Sequence, residues 1–295
     1  MTFNVAGGKA GPVRGAEPGG DLAAIIEVVR EQAPDILILQ EATDWQLADG
    51  SWGSVTREIA AACGFGDGYH FAPTLTLSRH LNVSKALMVE AVFADLLEWR
   101  QGNAILSRTR FVRLADPSRP GSPRSVPVFR APQYEGDRNT EPRDAVVARV
   151  DCGPISPFVV GVHLTTLTGE RGSHPDPRRV LEAQQLRRRQ AERLLRLLRP
   201  RVLSGQEVVF LVGDFNAERD EPCIAQVLEG QGGFKLLEGP GATHQRLPRA
   251  IDHVLVHPPA RVIEYRCRSV VGSGSDHHPV VADVLLDVCP AGVGG

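Results

Sequence analysis

Along this 295-residue chain the polar residues most worth examining stand where apolar runs end or begin. In 207–216 an unbroken apolar run, Val208, Val209, Phe210, Leu211 and Val212, leads through Gly213 to Asp214 and Asn216. A run of that kind predicts a strand covered on both faces. Asp214 and Asn216, two positions apart, leave that strand on one side of an extended chain. Shorter runs predict strands at 36–39, 69–73, 102–108 and 126–130. Residues 145–150 and 158–162, joined by a turn at Gly153-Pro154, predict an antiparallel pair whose second strand runs into His163. The spans 251–256 and 279–286 are expected to be the last two strands.

Helical spacing appears between these runs. Asp21 is placed to cap a helix through Leu22, Ile25, Ile26, Val29 and Arg30, and Pro34 stops it. Further helices are expected at 55–62, ending at Gly64, and at 222–228. Met88, Val92, Leu96 and Trp99 predict a helix over 84–99, and the proline-rich span 116–142 predicts a long surface segment. The span 178–201 carries nine arginines against Glu182 and Glu192. Val180, Ala183, Leu186, Leu194 and Leu197 supply its buried stripe, and the arginines are read as its solvated face.

Composition changes this picture little. At 42% hydrophobic and 23% charged, with no internal repeat or Gly/Ser linker, the chain reads as one domain over 1–288 with a tail at 289–295. A net charge of −2 gives no global basic field, which argues against a dedicated nucleic-acid binder. Cys63, Cys152, Cys223, Cys267 and Cys289 lie far apart, so reduced structural thiols are expected rather than a zinc ribbon or redox motif. There is no P-loop, no Gly-x-Ser-x-Gly elbow and no apolar run long enough for a transmembrane segment. Residues 1–8 read as the end of a strand with little strand before it, so a trimmed or misassigned start is expected. A cytoplasmic monomer is the expectation, with secretion left open by that start.

The candidate chemistry emerges when the polar residues at run edges are collected. Asn4, Glu41, His163, Asp214 and Asn216 stand at strand ends; Asp252, Asp276 and His277 stand at strand starts. Antiparallel neighbours bring the start of one strand beside the end of the next, so both groups can gather at one rim. Several carboxylates, two amides and two histidines are costly to assemble for stability alone. They suggest a divalent cation, and the predominance of oxygen donors favours Mg²⁺ or Mn²⁺ over zinc. Arg143, opening a strand, is a candidate phosphate contact, with plain surface charge the equal alternative. His277 is assigned to the site and its neighbour His278 to a structural or rim position.

These residues carry a resemblance. Thr-Phe-Asn4, Leu-Gln-Glu41, Gly-Asn-Ala-Ile-Leu-Ser107, Val-His163-Leu, Gly-Asp214-Phe-Asn216, Ile-Asp252-His and Ser-Asp276-His277-His-Pro together resemble the endonuclease/exonuclease/phosphatase superfamily, in the family's order, from residue 2 to about 286. The aromatic-cysteine-aspartate-arginine signature of its inositol 5-phosphatases is absent around Asp252, and Ala42-Thr43 stands where abasic-site nucleases usually carry Thr-Lys. The resemblance is therefore to the superfamily as a whole. It implies an α/β fold, a four-layer α/β/β/α sandwich of two mixed sheets flanked by helices. It also implies in-line hydrolysis of a phosphodiester or phosphomonoester by an activated water. Carried across by motif, Glu41 is the main Mg²⁺ ligand, helped by Asn4, with Asp276 near the metal. Asp214 orients or deprotonates the water, and Asn216 holds a phosphate oxygen or a second metal. His277 acts as general base or transition-state stabiliser with its tautomer fixed by Asp252, and His163 binds phosphate. Arg143 and Asn103 are the expected substrate contacts. The substrate is left open among small molecules, lipid headgroups and nucleic acids; a nuclease is the nearest alternative. A catalytically inert protein-binding module of the same fold is the alternative from another class.

Overall fold

Three apolar clusters set the layering, and each draws on alternate faces of the same strands. The computed structural model describes residues 1–8, 21–80, 96–134, 137–170, 174–202, 204–229 and 233–288. In the run 208–212, Val209 and Leu211 join the cluster beneath the helices Pro177–Val202 and Pro222–Glu229, while Val208 and Val212 join a second cluster. Likewise Leu37 and Leu39 pack under the helices Leu22–Gln32 and Val55–Ala62, while Ile38 turns the other way into that second cluster. Strands covered on both faces need apolar residues at every position, which is why these runs show no alternation. The result is helix, sheet, sheet, helix: the expected four-layer sandwich.

The first sheet has the order β13 (Val262–Ser269), β14 (Val280–Leu286), β1 (Thr2–Asn4), β2 (Ile36–Leu47), β5 (Leu96–Ser107), β4 (Tyr69–Thr76), with β3 (Trp52–Ser54) paired to β2. The second has the order β11 (Lys235–Leu236), β12 (Asp252–His257), β10 (Val209–Asp214), β9 (Phe158–His163), β8 (Arg143–Val150), β6 (Phe111–Val112), with β7 (Arg124–Phe129) on β8. Each sheet has one parallel pair at its centre, β1 with β2 and β9 with β10, flanked by antiparallel neighbours. β9 and β10 end side by side, and their antiparallel neighbour β12 begins at the same level. Asp214 is thus level with His163 on one side and Asp252 on the other.

Most predicted elements are present. Asp21 caps its helix, accepting from the amides of Ala23 and Ala24, and β8 and β9 pair antiparallel. The helix expected over 84–99 is not continued at its end: Leu96–Trp99 belong to β5, and Trp99 is level with Trp45 of β2. Long-range pairing overrides the helical spacing there, and residues 81–95 lie outside those described. The two final strands are separated by an additional one, β13, whose outward face carries Glu264 and Arg266 and so hides its period in charge. Ile36 opens a strand of 12 residues, longer than the apolar run, because β2 continues past Glu41 through a bulge opposite Asn103. Within the arginine-rich helix the predicted Leu186 and Leu194 are buried, but the third buried leucine is Leu198, while Leu197 is 36% exposed. Arg187, on its expected solvated face, is fully buried.

Candidate active site

The site is the seam where the two sheets meet at the strand ends. Asn4, the last residue of β1, reaches across the sandwich and donates from Nδ2 to Asp214 Oδ2 (3.0 Å) and to Glu41 Oε1 (3.2 Å). From the loop before β14, His277 crosses the same gap, its Nδ1 3.0 Å from Asp252 Oδ2. The sequence-predicted residues Asn4, Glu41, His163, Asp214, Asp252 and His277 are therefore brought together. Asp214 is their junction. Its Oδ2 lies 3.6 Å from His163 Nε2 and 3.8 Å from His277 Nε2, and its Oδ1 accepts the Asn216 amide at 2.8 Å.

Local backbone conformation aims these groups. Glu41 sits in the β2 bulge with φ 54°, and Asn216 follows β10 with φ 49°. Left-handed conformations are uncommon outside glycine, tolerated best by asparagine, and concentrate at functional sites. The bulge turns the Glu41 carboxylate towards the seam, 3.9 Å from His163 Nε2, while leaving it a third exposed. Asn216 donates from Nδ2 to Leu164 O at 3.2 Å, which ties the end of β10 to the chain leaving β9.

The electrostatics divide the two histidines. Burial lowers His163 well below the usual histidine value, and the neighbouring Arg143 and His277 add to this, so its ring is neutral at pH 7. Burial pushes His277 in the same direction, but the carboxylates of Asp252 and Asp214 outweigh it and raise the group to about 10. His277 is thus an imidazolium, a donor rather than a base. Asp214 is raised to about 7 by burial and by the charge of Asp252, against the pull of His277 and its hydrogen bonds.

The remaining candidates fall into place differently. Arg143 is no surface charge: it is buried, paired with Glu141 Oε1 at 3.2 Å and bonded through Nη2 to Thr166 Oγ1 at 3.4 Å. Its Nε and the Nε2 of His163 are buried without hydrogen-bond partners, and both residues line the cleft containing Glu41. Asn103 lines that cleft too, but its Nδ2 donates to Asp144 O at 2.6 Å, tying β5 to β8 across the sandwich. Asp276 is half exposed and faces His244, 3.8 Å away, beside His277 rather than beside Glu41.

Asp214 and Asp252 each offer a carboxylate oxygen within 4.8 Å of the other, beside the His277 imidazolium, which has no lone pair left for a cation. With Glu41 and the two asparagines they form an oxygen-rich set whose buried carboxylates repel. Asp252 Oδ1 is buried with no hydrogen-bond partner. That donor chemistry fits a hard divalent cation such as Mg²⁺ or Mn²⁺.

One positioning residue was not singled out by the sequence reasoning. Ser275 Oγ donates to the carbonyl of Asn4 (2.7 Å) and accepts the amide of His277 (3.2 Å), joining the ends of β1 and the His277 loop. It lies inside the Ser-Asp-His motif, so proximity to His277 was its only available signal. Ser275→Ala is expected to strand the buried His277 amide, costing about 1–3 kcal/mol of stability. It should also lower kcat by about tenfold with KM little changed, by loosening the position of the imidazolium. Urea unfolding and steady-state kinetics check both; an unchanged kcat would remove Ser275 from the positioning machinery.

The sequence matches the family model described as the Endonuclease/Exonuclease/phosphatase family over residues 1–277. A comparison with curated proteins finds no match. Among solved structures the chain is similar to an endonuclease/exonuclease/phosphatase from Beutenbergia cavernae, with TM-score 0.64 and 21% identity over 97% of this chain and 70% of that one. It is also similar to the human Nocturnin catalytic domain with bound sulfate anion (TM-score 0.57, 16% identity, 90% and 85% covered). A third is the Bacteroides thetaiotaomicron mannosyl-6-phosphatase (TM-score 0.59, 12% identity, 96% and 98% covered). At these identities the structural likeness is one of fold.

Proposed function

Because the chain belongs to the endonuclease/exonuclease/phosphatase family, we propose that it is a Mg²⁺- or Mn²⁺-dependent hydrolase of a phosphodiester or phosphomonoester. Members of the family are nucleases or phosphatases acting on phosphoester bonds, and they generally use divalent metals. The observation that carries the reading is the single oxygen Asp214 Oδ2, 3.0 Å from the Asn4 amide and within 3.8 Å of both His163 and His277. A water held there has an acceptor on one side and charged or neutral donors around it.

Glu41 and Asn4 are the residues that would hold the cation, which would offset charge developing on the phosphoryl oxygens; Asp276, expected near the metal, instead faces His244 on the other side of His277. Asp214 orients the attacking water and takes its proton. Asp252 holds the Nδ1–H of His277, so that Nε2–H points into the cleft and donates to the developing charge. His163, neutral, donates from Nε2 to a phosphoryl oxygen, and the buried Arg143 guanidinium adds positive charge behind it. Asn216 fixes the Asp214 carboxylate through its amide and offers a further contact to phosphate. Asn103 keeps the cleft wall in place. The substrate is a phosphoester small molecule, lipid headgroup or nucleic acid end. Among the described residues no helix is long and apolar enough to cross a membrane.

Hydrolysis of an aryl phosphodiester, an aryl phosphomonoester, plasmid DNA, an abasic-site duplex and sphingomyelin tests this, each with Mg²⁺, Mn²⁺ and chelator. Metal-dependent turnover that vanishes in Asp214→Ala and His277→Ala supports the hydrolase, and turnover confined to DNA names it a nuclease. Silence on every substrate, with no metal binding by calorimetry, leaves the inert binding module instead.

A further inference from the structure

The cleft beside the seam holds three carboxylates around its phosphate contacts. Glu41, Glu141 and Asp144 line it together with Arg143 and His163. Asp144 is offset by Arg130, which pairs with its Oδ1 from the segment after β7. Glu41 is the residue proposed to face the cation. That leaves Glu141 and Arg143, two residues apart where the chain enters β8, paired with each other through Oε1 and Nη1 at 3.2 Å.

The Arg143 guanidinium is divided between two uses. Its Nη1 end is held by Glu141. On its other edge Nε is buried without a hydrogen-bond partner, and Nη2 reaches Thr166 Oγ1 at 3.4 Å. The same edge of Arg187 takes the Glu221 carboxylate side-on, at 2.6 and 2.9 Å. Arg143 can therefore receive a pair of oxyanion oxygens on its Nε edge while Glu141 stays on Nη1. His163 beside it is neutral, so Glu141 offsets most of the positive charge that Arg143 lends the cleft. Repulsion between Glu141 and a bound phosphoryl group grows in proportion to the charge on that group. A phosphodiester carries one negative charge at neutral pH, and a phosphomonoester close to two, its second proton leaving at about pH 6.

We propose that Glu141 is a specificity-determining residue, which sets the cleft for a singly charged phosphodiester over a doubly charged phosphomonoester. The inference rests on the hydrolase reading and narrows its substrate class. Either ester can satisfy the directed donors on the Nε edge of Arg143. Only the monoester carries a second charge, and Glu141 removes the gain that the guanidinium would otherwise give it. Glu141 lies ahead of β8 with its side chain 18% exposed, so replacing it leaves the core intact.

The test compares the unsubstituted chain with Glu141→Gln and Glu141→Asp on nitrophenyl phosphate and its methyl diester, at about pH 8 with Mg²⁺, where the monoester is a dianion. The unsubstituted chain should have the higher kcat/KM on the diester. Glu141→Gln should shift the ratio of the two kcat/KM values towards the monoester by about fivefold, mostly through KM. Glu141→Asp keeps the charge and should keep the ratio within about twofold. A dinucleotide and a glycerophosphodiester should respond as the aryl diester does, and the one that turns over tells a nucleic-acid source from a lipid one. Calorimetry needs no turnover: in Glu141→Gln, inorganic phosphate should gain about fivefold more in affinity than dimethyl phosphate gains. An unchanged ratio with turnover intact overturns the proposal and leaves the hydrolase standing, as does a preference of the unsubstituted chain for the monoester. Silence on every ester defeats the hydrolase instead. The calorimetry then decides alone, and equal gains for the two anions, or binding of neither, overturn the charge selection.

Discussion

Asp214→Asn is expected to abolish turnover and, at pH 8 in chelator, to raise the melting temperature. The two effects have one cause. Asp214 is raised from 3.8 to about 7, first by burial and then by Asp252, even though His277 and the hydrogen bonds from Asn4 and Asn216 favour its charge. Below about pH 4 the group is protonated in the folded and the unfolded chain, and it is neutral with respect to stability. Between about 4 and 7 the unfolded chain ionises while the folded one retains its proton, so a cost builds up; above 7 it is present in full. An uncharged isostere removes that cost, on the order of a few kcal/mol. Against it stands one lost hydrogen bond, because the amide introduced at position 214 would face the Asn4 Nδ2, at about 1 kcal/mol. The charge term wins, and at about 2–4 °C per kcal/mol the gain is measurable by calorimetry. It should shrink as the pH falls towards 4. Turnover should drop by about a thousandfold or more, since the water loses its acceptor while the imidazolium remains. A variant that melts lower at pH 8, or one that keeps its activity, would refute the assignment of Asp214 as a strained catalytic carboxylate.

That trade between stability and chemistry also explains what could be read from the sequence. Asp214, Asp252, His163 and His277 are legible because each stands at the edge of an apolar run, where a polar residue has no packing reason to be. The layering is legible for the related reason that the runs at 36–39 and 208–212 are unbroken, as strands covered on both faces require. What the sequence concealed depends on tertiary contacts. The continuation of β2 past Glu41 rests on a bulge, which leaves no composition signal when the bulged residue is not glycine. Leu96–Trp99 carry helical spacing, and only the β2 edge decides that they are strand. Arg143 and Asn103 have the same letters whether they face solvent or a cleft; the sheet above them makes the difference. Charge in the arginine-rich helix hid its one inward-facing member.

That member, Arg187, governs the largest stability effect expected outside the site. It is fully buried, with Nε 2.6 Å from Glu221 Oε1 and Nη2 2.8 Å from Glu170 Oε1, and its Nη1 donates to the carbonyls of Thr165 and Thr166. Gln190, one turn on, bonds the Thr165 amide at 3.0 Å and its hydroxyl at 2.7 Å. The helix therefore holds the segment that leaves β9 just beyond His163, and Thr166 in turn meets Arg143. Arg187→Met keeps the length of the stem but leaves Glu170 and Glu221 facing each other with one cation, Arg249, on the outer side of Glu170. Breaking a buried pair from one side costs about 3–5 kcal/mol, which is roughly 6–20 °C in melting temperature at this size. Arg188, more than half exposed and 3.6 Å from Glu192, should change stability by less than about 0.5 kcal/mol when replaced by alanine. Adding Glu221→Gln to Arg187→Met should recover part of the loss, because one of the stranded charges is then gone. Urea unfolding of the four proteins separates these outcomes. If Arg187→Met were as mild as Arg188→Ala, the buried network would be ornamental, and the segment after His163 would owe its position to packing alone.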